Sequence, residues 1–192
     1  MKINLKNCVA ILALSVAALS AQATDYVIDT KGSHAFVQFR VMHLGYSWLY
    51  GRFNEFSGEF SYDPESPEKA AIAVDIQTAS VDSNHAERDK HLRGDKFLDV
   101  EQFPSARFES TRVEVSSETA AKVYGNLTLK DVTKEVVLDV ERIGMGNDPW
   151  GGYRVGFEGR TKFRMKDFNI LRDLGPLSQD VEMILTVEGI RK

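Results

Sequence analysis

The chain has 192 residues and a formal charge of −4, with 43% hydrophobic and 27% charged residues, 14 Gly, 5 Pro and a single Cys. These fractions suit one folded domain and exclude a collagen-like, low-complexity or disordered chain; the acidic balance argues against a protein built to grip nucleic acid. One cysteine can form neither an internal disulfide nor a cysteine-rich metal site.

Residues 1–23 read as a signal peptide. Lys2 and Lys6 supply a positive start, Val9–Leu19 is an apolar run too short to span a bilayer comfortably, and Ala21-Gln22-Ala23 places small residues where a signal peptidase reads. An uncleaved anchor is the alternative, disfavoured by the short run and the cleavage-like triplet. Cleavage leaves residues 24–192 as a single domain. It removes two lysines, making the charge two units more negative, and it removes Cys8. Cys8 precedes the apolar run, where it is badly placed as a lipid anchor. The expected product is soluble, exported and thiol-free, and periplasmic in a diderm source.

Period-two alternation dominates the rest, as expected of strands with one dry and one wet face. Ala35, Val37, Phe39 and Val41 alternate with Gln38, Arg40 and Met42. Ile72, Val74 and Ile76 repeat the pattern, and Ala106, Phe108 and Ser110 give a weaker stretch. Then come Val123, Gly125, Leu127 and Leu129, followed by Val136, Leu138 and Val140. Tyr153–Met165 sets Val155, Phe157, Gly159, Thr161 and Phe163 against Arg154, Glu158, Arg160, Lys162 and Arg164. Val181, Met183, Leu185 and Val187 close the series. Turn residues fall at Asp63-Pro64, Ser66-Pro67, Lys130-Asp131 and the loop Gly144–Gly152. The exception is Ser83–Gly94, a polar segment rich in helix formers with Gly94 placed as a stop; it predicts one short helix over an end or side of the sheet.

About eight strands with little helix between them predict an all-β antiparallel sandwich or closed barrel, with the barrel favoured. Small residues on the dry faces are compatible with internal space, and a solid core fits the same alternation; periodicity does not choose between them. An outer-membrane barrel would show this pattern inside out, which the many charges on the wet faces oppose.

Four histidines follow the leader. His85 and His91 are six apart and share no helix face, so they make no metal pair, and Arg88-Asp89-Lys90-His91 lacks zincin spacing. His34 and His43 bracket a strand; His43 falls in phase with Val41 and points into a lumen or closes its end. No nucleophile elbow or phosphate-binding glycine loop is present, and nothing selects a hydrolytic triad. No catalytic residue, metal ligand or cofactor is expected.

The chain resembles the YceI-like polyisoprenoid-binding family. The ordered set that carries the likeness begins with His34-Ala35-Phe36-Val37-Gln38-Phe39-Arg40-Val41-Met42-His43-Leu44-Gly45, Ser80-Val81-Asp82 and Arg88-Asp89-Lys90-His91-Leu92-Arg93. It continues through Phe97, Phe103-Pro104, Gly125-Asn126-Leu127-Thr128-Leu129, Val132-Thr133-Lys134, Phe168-Asn169-Ile170 and Val181-Glu182-Met183. The resemblance implies a lipocalin-like extended barrel whose apolar lumen holds a long-chain isoprenoid (isoprenoid quinone-like) or other amphiphilic lipid, as carrier or buffer.

On that reading the inward residues Val37, Phe39, Val41, Ile72, Val74, Phe108, Leu127, Val155, Phe157, Phe163 and Leu185 contact the chain. His43, Arg88 and His91 meet a head group at the mouth, and a membrane is the transient source of the lipid. Two other readings are a lumen enzyme with a histidine base and a stress-protective protein with a solid core.

Overall fold

The computed structural model describes residues 23–192. The signal-peptide reading falls on a segment that, apart from Ala23, lies outside the described residues. The elements are β1 (Thr24–Ile28), β2 (Phe36–His43), β3 (Ser47–Phe53), β4 (Phe56–Tyr62), β5 (Ala71–Gln77), β6 (Val81–Asp82), α1 (Ala86–Arg93), β7 (Ser105–Val115), β8 (Ala120–Leu129), β9 (Val132–Asn147), β10 (Tyr153–Arg164) and β11 (Asp180–Arg191).

These segments make an eight-stranded closed antiparallel barrel, because three of the staves are interrupted. β1 and β2 lie end to end along β11, pairing Ile28 with Gly189 and Phe36 with Thr186. β3 and β4 continue one another against that pair, and β5 and β6 against β3 and β4. β7 to β11 then follow as a meander, and β11 closes the ring on β1 and β2. Closure leaves no long edge to template aggregation.

Lys130 and Asp131 both take positive φ, 50° and 57°, which is the two-residue hairpin geometry whose twist matches the flanking strands. The expected loop Gly144–Gly152 is shorter than its composition suggests. Gly144 and Gly146 pair with Gly156 and Arg154 inside the ladder, and only 148–152 turn. Those glycines sit beside a register shift at Gly156/Phe157 and act as strand residues at a bulge.

The meander sends every second connection to the same end. One end carries the β2–β3 turn, the long α1 connection, the Lys130-Asp131 turn and the 165–179 loop; the other carries 63–70, 116–119, 148–152 and the β1 start. The outer wall is laced with cross-strand ion pairs such as Arg40–Glu182, Arg107–Asp75, Lys122–Asp139 and Lys162–Asp180. The inner face is apolar. That is the reverse of a lipid-facing barrel. No helix among the described residues is long and apolar enough to cross a membrane.

Candidate functional site

The interior divides into two halves. Toward the end with the β1 start, Tyr26, Ile28, Ala35, Phe60, Tyr62 and Val155 form one buried cluster. Tyr26 stacks on Phe60 at 5.0 Å, and Phe157 stands edge-on to Phe60 and Tyr62 at 5.7 and 5.2 Å. These rings plug that end of the barrel. The other half contains a cavity of about 880 Å³, within the size range of small-molecule sites. A smaller cavity of about 120 Å³ adjoins it near the plug and shares Ile72, Leu138, Leu185 and Val187 as walls.

Most of the inward residues read from the alternation line the large cavity: Val37, Phe39, Val41, His43, Ile72, Val74, Phe108, Leu127, Phe163 and Leu185. Two do not. Val155 is fully buried in the aromatic cluster, and Phe157 lines only the smaller cavity. Both have the correct phase but lie too far along β10, because phase fixes a face and says nothing of depth.

Two aromatic rings that could crowd the lumen approach glycines in its wall. A Cβ at Gly51 would collide with the ring tip of Phe39, and one at Gly125 with that of Phe108. Gly51 faces Phe39 directly across β2 and β3, and Gly125 adjoins Phe108 across β7 and β8. Each ring tip therefore occupies space that a side chain at the glycine would fill.

Polar groups gather at the mouth. His43, Arg88, Lys90, His91, Asp95, Lys96, Arg172 and Ser178 line the cavity there, together with Leu92, Phe97 and Leu98. α1 is held by its own polar side chains. His85 Nδ1 accepts from the Arg88 amide at 3.2 Å and caps the helix, and Gly94 ends it. The buried carboxylate of Asp89 accepts from the Ser83 amide at 2.8 Å and from the Ser83 hydroxyl. Arg88 donates to Ser83 Oγ and O at 2.7 and 2.6 Å, and Arg93 to Val81 O at 2.9 Å. A helix whose own faces are polar is thus stitched over the mouth, with Leu92 and the following Phe97 turned inward. Alternation could not find Phe97, Leu98, Ile170 or Leu174, since they reach the cavity from connections and carry no period.

The plugged end has the strongest charge network. Arg154 donates to Asp29 at 2.7 Å, to Asp148 at 2.7 Å and to Glu188, while His34 Nδ1 lies 2.9 Å from Asp29. The Arg154 guanidinium, followed by His34, holds the Asp29 carboxyl down at about 2 against the partial opposition of burial. Arg154 also lowers Asp148 and is itself raised. Asp29, His34 and Glu188 bring ligand atoms within 4.8 Å of one another, but the guanidinium already occupies that centre. The network fastens the 29–35 interruption to β10 and β11.

A family model described as the YceI-like domain matches residues 26–189. A UPF0312 protein of Serratia proteamaculans is 59% identical over 179 residues, covering 93% of each chain. One of Azotobacter vinelandii is 55% identical over 191 residues, covering 98% of this chain and all of that one. Among solved structures, the YceI protein of Campylobacter jejuni superposes with a TM-score of 0.72 at 26% identity, over 97% of this chain and 99% of that one. A polyisoprenoid binding domain from Saccharophagus degradans gives 0.63 at 16% identity, over 89% and 100%; that likeness shows the fold alone. The barrel, its ordered motifs and these matches agree, and the chain belongs to the YceI-like domain family.

Proposed function

We propose that the protein binds a long-chain isoprenoid or related amphiphilic lipid in its lumen, without catalysing a reaction on it, and serves as a periplasmic carrier or buffer. The observation that carries this reading is the cavity of about 880 Å³, walled by apolar side chains, plugged by aromatics at one end and polar only at the other. Such a shape matches a molecule with a long dry tail and one wet end. The Saccharophagus neighbour, described as a polyisoprenoid binding domain, supports the ligand class. The leader-like residues 1–23 support export. Val37, Phe39, Val41, Ile72, Val74, Phe108, Leu127, Phe163 and Leu185 are the proposed tail contacts, with His43, Arg88 and His91 beside the head.

Magnitudes limit the role. Burial from water stabilises by about 0.8 kcal/mol per methylene, so a chain of about forty carbons would total about 30 kcal/mol, above the ceiling near 20 for non-covalent complexes. The lipid comes from a bilayer, which is already dry, so the net affinity over membrane is modest and exchange remains feasible. Volume also restricts the fit. At roughly 30 Å³ per methylene-sized group, about a water's share of the liquid, the cavity takes about thirty carbons. A longer chain extends into the smaller cavity or out of the mouth.

The test is mass spectrometry of the organic extract of protein isolated from its native compartment without detergent. A near-stoichiometric isoprenoid or quinone supports the reading. A clean extract, repeated after incubation with membranes, removes it.

A further inference from the structure

The smaller cavity contains a charged wall residue to which lipid binding in the larger one gives no role. Val136, Leu138, Val140 and Arg142 follow one another at every second position of β9, and Arg142 lies directly across the ladder from Phe157. An arginine therefore continues an apolar stripe and points into the barrel. Its side chain is only 17% exposed and lines the cavity of about 120 Å³.

Arg142 is poorly partnered there. Nη2 donates to the Glu118 carbonyl at 3.4 Å, and Glu118 Oε1 stands 3.8 Å away on a side chain that is 93% exposed. Nε is buried and has no hydrogen-bond partner among the described residues. Arg154 at the same end, by contrast, finds carboxylate oxygens at 2.7 Å. A buried cation short of acceptors is costly, and an acceptor bound beside it removes that cost.

The rest of the wall fits such an occupant. Tyr62 supplies a second donor, because burial pushes its phenol up and keeps it neutral. Val113, Val123, Val140 and Phe157 are apolar. Glu118 is the one carboxylate among the lining residues; Asp63, Glu65 and Glu68 on the neighbouring connection do not line the cavity. The selection thus rests on one charge held in a dry wall, whereas Glu118 sits in water, where its field is screened. Ser117 and Glu118 are exposed on the 116–119 turn, so the cavity borders solvent there.

We infer that the smaller cavity binds an aliphatic monocarboxylate, its carboxylate on the Arg142 guanidinium and the Tyr62 hydroxyl and its alkyl chain against Phe157 and the valines. A planar guanidinium matches a carboxylate in shape as well as charge. At roughly 30 Å³ per carbon-sized group, the cavity takes about four. A short-chain acid nearly fills it, and a fatty acid would run on past the shared walls Ile72, Leu138, Leu185 and Val187 into the lumen. The inference does not rest on the isoprenoid role, which concerns the larger cavity.

The experiment titrates the protein as isolated with hexanoate, hexanol and hexadecanoate. It reads affinity by calorimetry and the Nε–H magnetic resonance signal of Arg142, assigned by its loss in Arg142→Met. Hexanoate should move that signal and hexanol should not. Arg142→Met, an apolar replacement in an apolar wall, should weaken hexanoate binding about tenfold to a hundredfold. Glu118→Gln removes the competing carboxylate and should strengthen binding about threefold. Arg142-dependent binding of hexadecanoate as well supports a chain that reaches the lumen; binding of hexanoate alone supports a short-chain site. Equal binding of hexanol, an unmoved Arg142 signal, undiminished affinity in Arg142→Met or weakened affinity in Glu118→Gln overturns the inference. If Arg142→Met does not fold, the hexanol comparison and Glu118→Gln decide.

Discussion

The two ends of the barrel are built on opposite principles. At the plugged end most side chains satisfy one another: rings stack on rings, and Arg154 finds three carboxylates. At the open end the wall residues have partners on one side only, and the mouth cations have no carboxylate partner among the described residues. Close packing and paired charge stabilise; unfilled space and unpaired charge are held in reserve for a ligand. The difference teaches that stability and lipid binding are assigned to different halves of one continuous sheet.

The sharpest way to break that comparison is to remove the guanidinium at the plugged end. Arg154→Gln takes their shared cation from the buried Asp29 and Asp148 carboxylates, and we expect roughly 3–5 kcal/mol lost in urea unfolding while the lipid content of folded protein stays unchanged. A loss below about 1 kcal/mol would show that the network is ornamental. Phe157→Ala comes next, at about 3 kcal/mol, because it opens a hole in the ring cluster and leaves Phe60 and Tyr62 without their edge-on partner.

Acid sharpens the same contrast. The folded pKa of Asp29, about 2, lies below the ordinary aspartate value of 3.8, so its stabilisation is fully present above 3.8 and is lost as pH falls toward 2. About 2 kcal/mol should disappear across that window, and Asp29→Asn should flatten this part of the pH–stability curve. The smallest effect belongs to the open half. Leu127→Ala in the cavity wall should cost only about 1 kcal/mol, since one side of that side chain already faces empty space. Its consequence should appear in the lipid-to-protein ratio instead; a cost equal to that of Phe157→Ala would mean that the two halves pack alike.

Inward phase was legible in β2, β5 and β7 to β11 because burial on one face imposes period two, and Tyr153–Met165 shows it over a full stave. The helix was legible from its stop and its composition, though it begins at Ala86, three residues after the polar run starts, because Ser83 bonds Asp89 from outside it. β1, β3 and β4 were not read from the alternation: they are five to seven residues long, and β3 and β4 set Gly51 and Gly58 opposite the inward Phe39 and Val74, which breaks their apolar period. Whether the core was filled could not be read either. Val37 and Val155 carry the same pattern, yet one borders a cavity and the other is sealed. The mouth was the least legible region, because Phe97, Ile170 and Arg172 arrive on connections whose geometry is set by tertiary packing.

Gly51 and Gly125 carry a consequence for how the width of such a barrel can change. Its bore is set by positions with no side chain, each acting as a seat for a ring on the neighbouring strand. A methyl group at Gly51 would displace the Phe39 ring, whereas one at Gly125 meets the Glu109 carbonyl at 2.7 Å as well as the Phe108 ring, so backbone must shift too. Calibre can therefore be altered in coarse steps from the backbone side, with every lumen residue left as it is.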